Sequence, residues 1–196
     1  MVRKRVVALF IVCLFAGCGF QAPHTIVPDY AKKTIRLVAL MPVENKTNDK
    51  IAAHLMRKKM LEELYYKGYP KIPLDLIDMQ LLKLGSNDVN ARKGNISPQS
   101  IGELLKVDAV MYCTLSESET PIYILYAPTS FAMSCELQSV KTGETLWKSH
   151  YDVRERNFGY SRSDVERKAA NVYEAAIQEA VKKVLETLPD GPDLTG

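Results

Sequence analysis

Apolar residues recur at two different periods along this chain, and each change of period marks an element. "IRLVALM", Ile35 to Met41, is apolar at almost every position, which predicts a buried strand that Pro42 ends. Ala53, Met56, Met60 and Leu64 then fall on one face of a helix. Asn48 or Asp49 can cap that helix, and Gly68 stops it after Lys67. "KIPLDLID" predicts a second short strand. After a loop rich in Asn, Gly and Lys, Ser97-Pro98 opens another helix, with the proline at its first position and its end near Lys106. "DAVMYCTL", Asp108 to Leu115, predicts a third strand. "SFAMSCELQSV" and "ETLWKSHYDVRE" flank Lys141-Thr142-Gly143, a turn signal between two strand-like runs, which predicts a hairpin. Ser163-Asp-Val-Glu166 has the form of a capping box. Behind it, apolar residues from Val165 to Leu185 keep helical spacing until Pro189. The expected fold class is mixed α/β in one domain. A βαβαβ start with right-handed crossovers leads to a β-hairpin and a long carboxy-terminal helix packed on a mixed sheet.

The amino-terminal pattern is of another kind. Arg3, Lys4 and Arg5 precede an uncharged apolar run from Val6 to Ala16. That run is too short for a membrane span, which needs ~20 apolar residues, and its parts are those of a secretory signal peptide. Its end, Leu14-Phe15-Ala16-Gly17-Cys18, resembles the lipobox of bacterial lipoproteins, with Phe15 where leucine is usual. The resemblance implies cleavage between Gly17 and Cys18, diacylglycerol on the Cys18 sulfur and acylation of the new amino terminus. The bland alternative is an ordinary cysteine beside a cleavage site. Several acyl chains hold a protein on a membrane where one alone is marginal. Gly19 stands where an aspartate would favour the inner membrane, so the resemblance points to the outer membrane, with the face left open. Expected boundaries are 1–17 for the signal peptide, 18–34 for a lipidated tether, 35–188 for the periplasmic domain and 189–196 for a disordered tail.

Charge adds one exclusion. The chain carries 26 Lys+Arg against 23 Asp+Glu. Three of the basic residues lie in 1–17, which leaves the mature protein 23 against 23 and close to neutral. A basic footprint for nucleic acid is absent. Of four cysteines, Cys113 and Cys135 remain in the domain, inside strand-like stretches. A disulfide between them suits an oxidising periplasm, but two free buried thiols are the slightly preferred reading.

"IRLVALMPVENKT" with its following helix, "IGELLKVDAVMYCTL" and "ELQSVKTGETLW" together resemble a family of envelope lipoproteins that includes a neisserial surface antigen. The same stretches are similar to the amino-terminal domain of TolB and the periplasmic domain of CsgG-type lipoproteins. The resemblance implies a mixed αβ domain, no catalysis, no cofactor, and work alongside other envelope proteins, often as a homo-oligomer. The stretch "TPIYILYAPTSF" follows no pattern of that family.

Catalytic signatures are thin. Lys141-Thr142-Gly143 matches one element of the penicillin-binding enzymes, but the Ser-x-x-Lys and Ser-Asp-Asn elements are missing. His24, His54 and His150 are scattered and make a poor metal site. Asp75 and Asp78 read as capping or solvated residues at a strand end. Asn45 and Asn95 match a glycosylation sequon that a bacterial lipoprotein does not use. The better candidate for a working surface is Ile122, Tyr123, Ile124, Leu125 and Tyr126, framed by Pro121 and Pro128. Exposed, it is an apolar patch that needs a partner; otherwise it is an ordinary buried strand. Tyr65 and Tyr66 raise the same question. The expected function is an outer-membrane-anchored, non-catalytic interaction component of an envelope assembly or secretion system. The alternatives are an activator of a cell-wall synthase, or an enzyme or carrier acting on an envelope lipid or glycan.

Overall fold

A computed structural model describes residues 21–83 and 97–192. The signal peptide, Gly17 and Cys18 lie outside those residues. Six strands form one mixed sheet: β1 (His24–Ile26), β2 (Val38–Leu40), β3 (Glu44–Asn45), β4 (Ala109–Glu119), β5 (Tyr126–Ser139) and β6 (Thr145–Phe158). The order is β1-β6-β5-β4-β2, with β3 also on β4. β2 and β3 run parallel to β4, and every other pairing is antiparallel. Four α-helices complete the described fold: α1 (Lys50–Tyr66), α2 (Leu74–Lys83), α3 (Pro98–Leu105) and α4 (Arg162–Glu186). The class is mixed α/β, with the long carboxy-terminal helix on a mixed sheet.

The sheet has two unequal faces. On one, α1 and α4 bury Met56, Met60, Ile177 and Val181 against Met111, Met133, Leu137 and Trp147. The Trp147 indole donates to Thr187 Oγ1 at 3.0 Å, so its polar atom is satisfied inside the core. On the other, α2 and α3 bring Ile77, Leu81 and Ile101 onto Ala39, Met41 and Val110, which covers only the β2 side. Beyond it β5 alternates strictly between buried and half-buried positions. Ser130, Ala132, Ser134 and Glu136 pair there with Arg154, Asp152, His150 and Lys148 of β6, leaving a polar face open.

Local signals explain the helix ends. Asp49 caps α1 by accepting from the Ala52 N–H at 2.9 Å, and Gly68 follows with φ +84°. Ser97 caps α3 ahead of Pro98, and Lys106 ends it in the left-handed region. α4 is capped by Ser161, which accepts from the Asp164 N–H at 3.2 Å; the cap lies two residues before the expected Ser163.

Three further expectations are corrected. "KIPLDLID" is no strand: Leu74 begins α2, because Ile77 and Leu81 are buried at helical spacing. Asp75 and Asp78 are therefore helical, and Asp78 holds Arg57 through two bonds of 2.7 and 2.8 Å. Part of the 18–34 segment is no free tether. His24–Ile26 extend the sheet along β6, and Ala22 and Tyr30 are buried. The start of the 189–196 segment is docked. Tyr69 donates to the Pro189 carbonyl at 2.9 Å, and the Gly191 N–H donates to the Lys67 carbonyl at 2.6 Å. A side chain at Gly191 would collide with the Gly68 carbonyl, so this close approach of two backbones requires glycine.

Candidate interaction surface

β4, β5 and β6 all end on one side of the molecule, where residues 120–125 link β4 to β5 and Gly159–Ser161 lead into α4. The five-residue apolar run lies at this tip, and the structure settles its exposure. Ile124 is 79 % exposed; Ile122, Tyr123 and Leu125 are also exposed, and Tyr126 is half-buried at the start of β5. Phe158 and Tyr160, the latter 98 % exposed, join them from the end of β6. Sequence reading missed these two, since neither belongs to an apolar run; the hairpin register that pairs Phe158 with Tyr126 is what brings them in.

The tip is ordered by its own bonds. Tyr123 N–H donates to the Tyr126 carbonyl at 2.8 Å, and Gly159 N–H donates to the Leu125 carbonyl at 3.1 Å. The Tyr123 and Tyr126 rings stack at 6.0 Å, and the Tyr126 and Phe158 rings meet at 4.9 Å. Beneath them, Asn157 donates to the Ala127 carbonyl and to Thr129, so a buried amide fixes the strand ends. Val165 and Ala169 of α4 pack on Ala127. Gly159 faces Val165 so closely that a methyl there would stand 2.8 Å from its side chain. Aromatic side chains held this way lose little further freedom on contact, which makes such a surface an effective binder.

Cys113 and Cys135 face each other across β4 and β5 with Cα atoms 4.2 Å apart, and their sulfurs are bonded. This corrects the preference for two free thiols; the strand register, which sequence does not supply, makes them direct neighbours.

Two hollows are large enough to hold a small molecule. One of about 550 Å3 is lined by Lys46–Asp49 and Ser116–Glu119. Its most constrained acid, Asp49, is already committed. Burial alone would raise its carboxyl, but hydrogen bonds from Tyr173, the Ala52 N–H and Ser118 outweigh that and hold it below the usual carboxylate range. A hollow of about 800 Å3 opens at the other end, beside Tyr30, Tyr69 and Pro189. There the Tyr30 and Tyr69 hydroxyls bond at 2.9 Å, and burial pushes both phenols up, so they stay protonated structural links.

The remaining candidates do not converge. His54 and His150 are exposed on α1 and β6, and His24 lies in β1. Among the described residues no group of His, Cys, Asp and Glu could hold a metal ion. Lys141-Thr142-Gly143 is the β5–β6 turn: Gly143 has φ +75°, and its N–H donates to the Ser139 carbonyl at 2.8 Å. Asn45 is in β3 and bonds the Asp49 carbonyl; Asn95 lies outside the described residues. Tyr65 and Tyr66 are exposed near the end of α1. Among the described residues no helix is long and apolar enough to cross a membrane.

A mixed sheet, helices on both faces and an exposed apolar hairpin tip define a small αβ domain. The chain belongs to the GNA1162-like family of lipoproteins, whose model matches residues 29–194. The crystal structure of lipoprotein GNA1162 from Neisseria meningitidis shares the fold with a TM-score of 0.58 at 20% identity, covering 70% of this chain and 94% of that one. The PelC dodecamer from Paraburkholderia phytofirmans matches with a TM-score of 0.50 at 12% identity, over 83% of this chain and 95% of that one. No curated protein sequence matches significantly.

Proposed function

We propose that this chain is an outer-membrane lipoprotein, cleaved between Gly17 and Cys18 and acylated on Cys18. Its periplasmic domain serves without catalysis as an accessory component of an envelope assembly or secretion system. The observation that carries this reading is the open face of β5 and β6, where Ser130, Ala132, Ser134 and Glu136 lie beside Arg154, Asp152, His150 and Lys148 and no helix of the described domain covers them. Family membership supports the anchor. The Cys113–Cys135 bond supports an oxidising compartment. The open polar face of β5 and β6 is the surface for protein partners. Because PelC is a dodecamer, a second copy of this chain is the first such partner to look for.

The test is crosslinking in cells with a photoreactive residue in place of Asp152, at the centre of that face. The expected result is a discrete protein adduct that disappears when Ser134→Arg fills the face beside it. An adduct of twice the chain mass identifies a second copy. Correctly acylated protein that gives no protein adduct from this face overturns the accessory role.

A further inference from the structure

The described amino-terminal end of the chain heads toward the tip. β1 runs antiparallel to β6, with His24 opposite Ser149, and the His150 N–H donates to the Pro23 carbonyl at 3.2 Å. Followed backward, the chain therefore heads along β6 toward Phe158. Ala22 is buried, 1 % exposed, and the register extended past the Pro23–His150 bond brings it level with Tyr151. Only four residue steps separate it from Cys18, a reach of at most ~14 Å. Phe158 lies seven residues ahead of Tyr151 along β6, ~23 Å away at strand spacing. Even at full stretch, Cys18 stops ~9 Å short of the level of the aromatic tip.

We propose that the tip is the domain's second membrane contact, seated in the boundary layer of the bilayer that holds the Cys18 lipid. This rests on the reading of Cys18 as acylated. Apolar elements that lie in a membrane interface enter it by ~5–10 Å, which matches the overhang. The composition fits as well: tyrosines are favoured where ring meets headgroup, and Ile122, Ile124 and Leu125 supply apolar surface. Most charges around the tip pair among themselves, Arg154 with Glu117, Arg162 with Glu166, and Arg167 and Lys168 with Asp164, and the exposed Arg156 is balanced in sign by the nearby Glu119 and Glu155. Contact is thus driven by apolar burial rather than by attraction to anionic lipid. A domain lying on the open face of its sheet would instead press Lys148, Asp152, Arg154 and Arg156 against the bilayer, at a desolvation cost that end-on seating avoids. The remaining reach is too short to lift the domain clear, so the polar face of β5 and β6 stands upright beside the membrane.

The experiment uses the full acylated chain in vesicles of phosphatidylethanolamine and phosphatidylglycerol whose acyl chains are brominated near the headgroup. Trp147, the single tryptophan, is fully buried and gives the background. Ile124→Trp at the tip should be quenched roughly twofold or more, as an indole ~5–10 Å into the boundary would be. Lys141→Trp, at the opposite end of the same strands, should stay at background. Intact mass is measured on the same samples. Acyl chains present with Ile124→Trp unquenched overturns the proposal while leaving the anchor standing. A protein adduct at Tyr123 in cells, in place of lipid quenching, overturns it in favour of a protein at the tip. Absent acyl chains sink the anchor itself, and the membrane contact with it.

Discussion

The two ends of the β5–β6 ribbon carry connections of similar length and opposite character. At one end, residues 140–144 turn through polar groups: Gly143 supplies the left-handed backbone, Thr142 and Glu144 bond each other, and Lys33 reaches Glu144 at 3.1 Å. Val140 packs on the smaller core, so four of the five residues there have a structural reason. At the other end, residues 120–125 expose four large apolar side chains in a row, which no rule of folding requires. The difference teaches where to look for function. A connection whose residues are mostly explained by its own geometry is architecture, and one that retains unexplained apolar surface is the place to test for a contact outside the domain.

Substitutions at each level can break that comparison. The largest loss is expected in the core the two ends share. Trp147→Ala should cost about 4 kcal/mol, as a cavity replaces a filled site and Thr187 loses the indole donor while keeping its bond to the Val184 carbonyl. It should be measured by denaturant unfolding. Next, Cys113→Ala with Cys135→Ala should cost roughly 3 kcal/mol from the freed loop, read in the same unfolding experiment under non-reducing conditions. At the polar turn, Gly143→Ala should cost about 1 kcal/mol because alanine resists the positive φ. The smallest effect on stability belongs to the tip. Ile124→Ser should stay within about 0.5 kcal/mol of the parent, since Ile124 is mostly exposed. If Ile124→Ser destabilises as much as Gly143→Ala, the tip is architecture too and the contrast fails.

An acid titration sharpens the picture from another side. Asp49 has a carboxyl held below its unfolded value, so its contribution to stability is present above that value and is lost as pH falls through the lower, folded one. The Asp49 contribution should therefore be complete above about pH 5 and fade below about pH 4, so the parent should lose more stability over that range than Asp49→Asn. A pH profile of thermal unfolding on both proteins checks this.

Elements with strong local chemistry could be read directly: the Asp49 cap and Gly68 stop of α1, Ser97-Pro98 at α3, the apolar run of β4 and the Lys141–Gly143 turn. The failures share a cause. In "KIPLDLID" the apolar residues Ile72, Leu74 and Leu76 alternate like a strand, while Ile77 and Leu81, which the core takes up, keep helical spacing. Pro73 just before ten helix-compatible residues was the usable signal. β1 is three residues of exposed character, and only pairing with a strand more than a hundred positions away makes it a strand. The docked Pro189–Gly191 segment is held by backbone carbonyls, one N–H and an ion pair of Asp190 with Lys67 at 2.8 Å, partners more than a hundred positions away that composition does not reveal. At the tip, five apolar residues in succession fit a buried strand or an exposed loop equally well. Only the fold decides, because the sheet ends at Tyr126 and no helix reaches over the connection.

The antiparallel seating of β1 on β6 also has a mechanical side. A tug on the amino terminus from the direction of the tip runs along the strand axis, while the hydrogen bonds of His24–Ile26 lie across it. Such a pull strains these bonds together, in shear, instead of peeling them one by one. The short first strand then acts as a strain relief. Force from a moving membrane or a bound partner is spread into the sheet before it can reach the helices behind it.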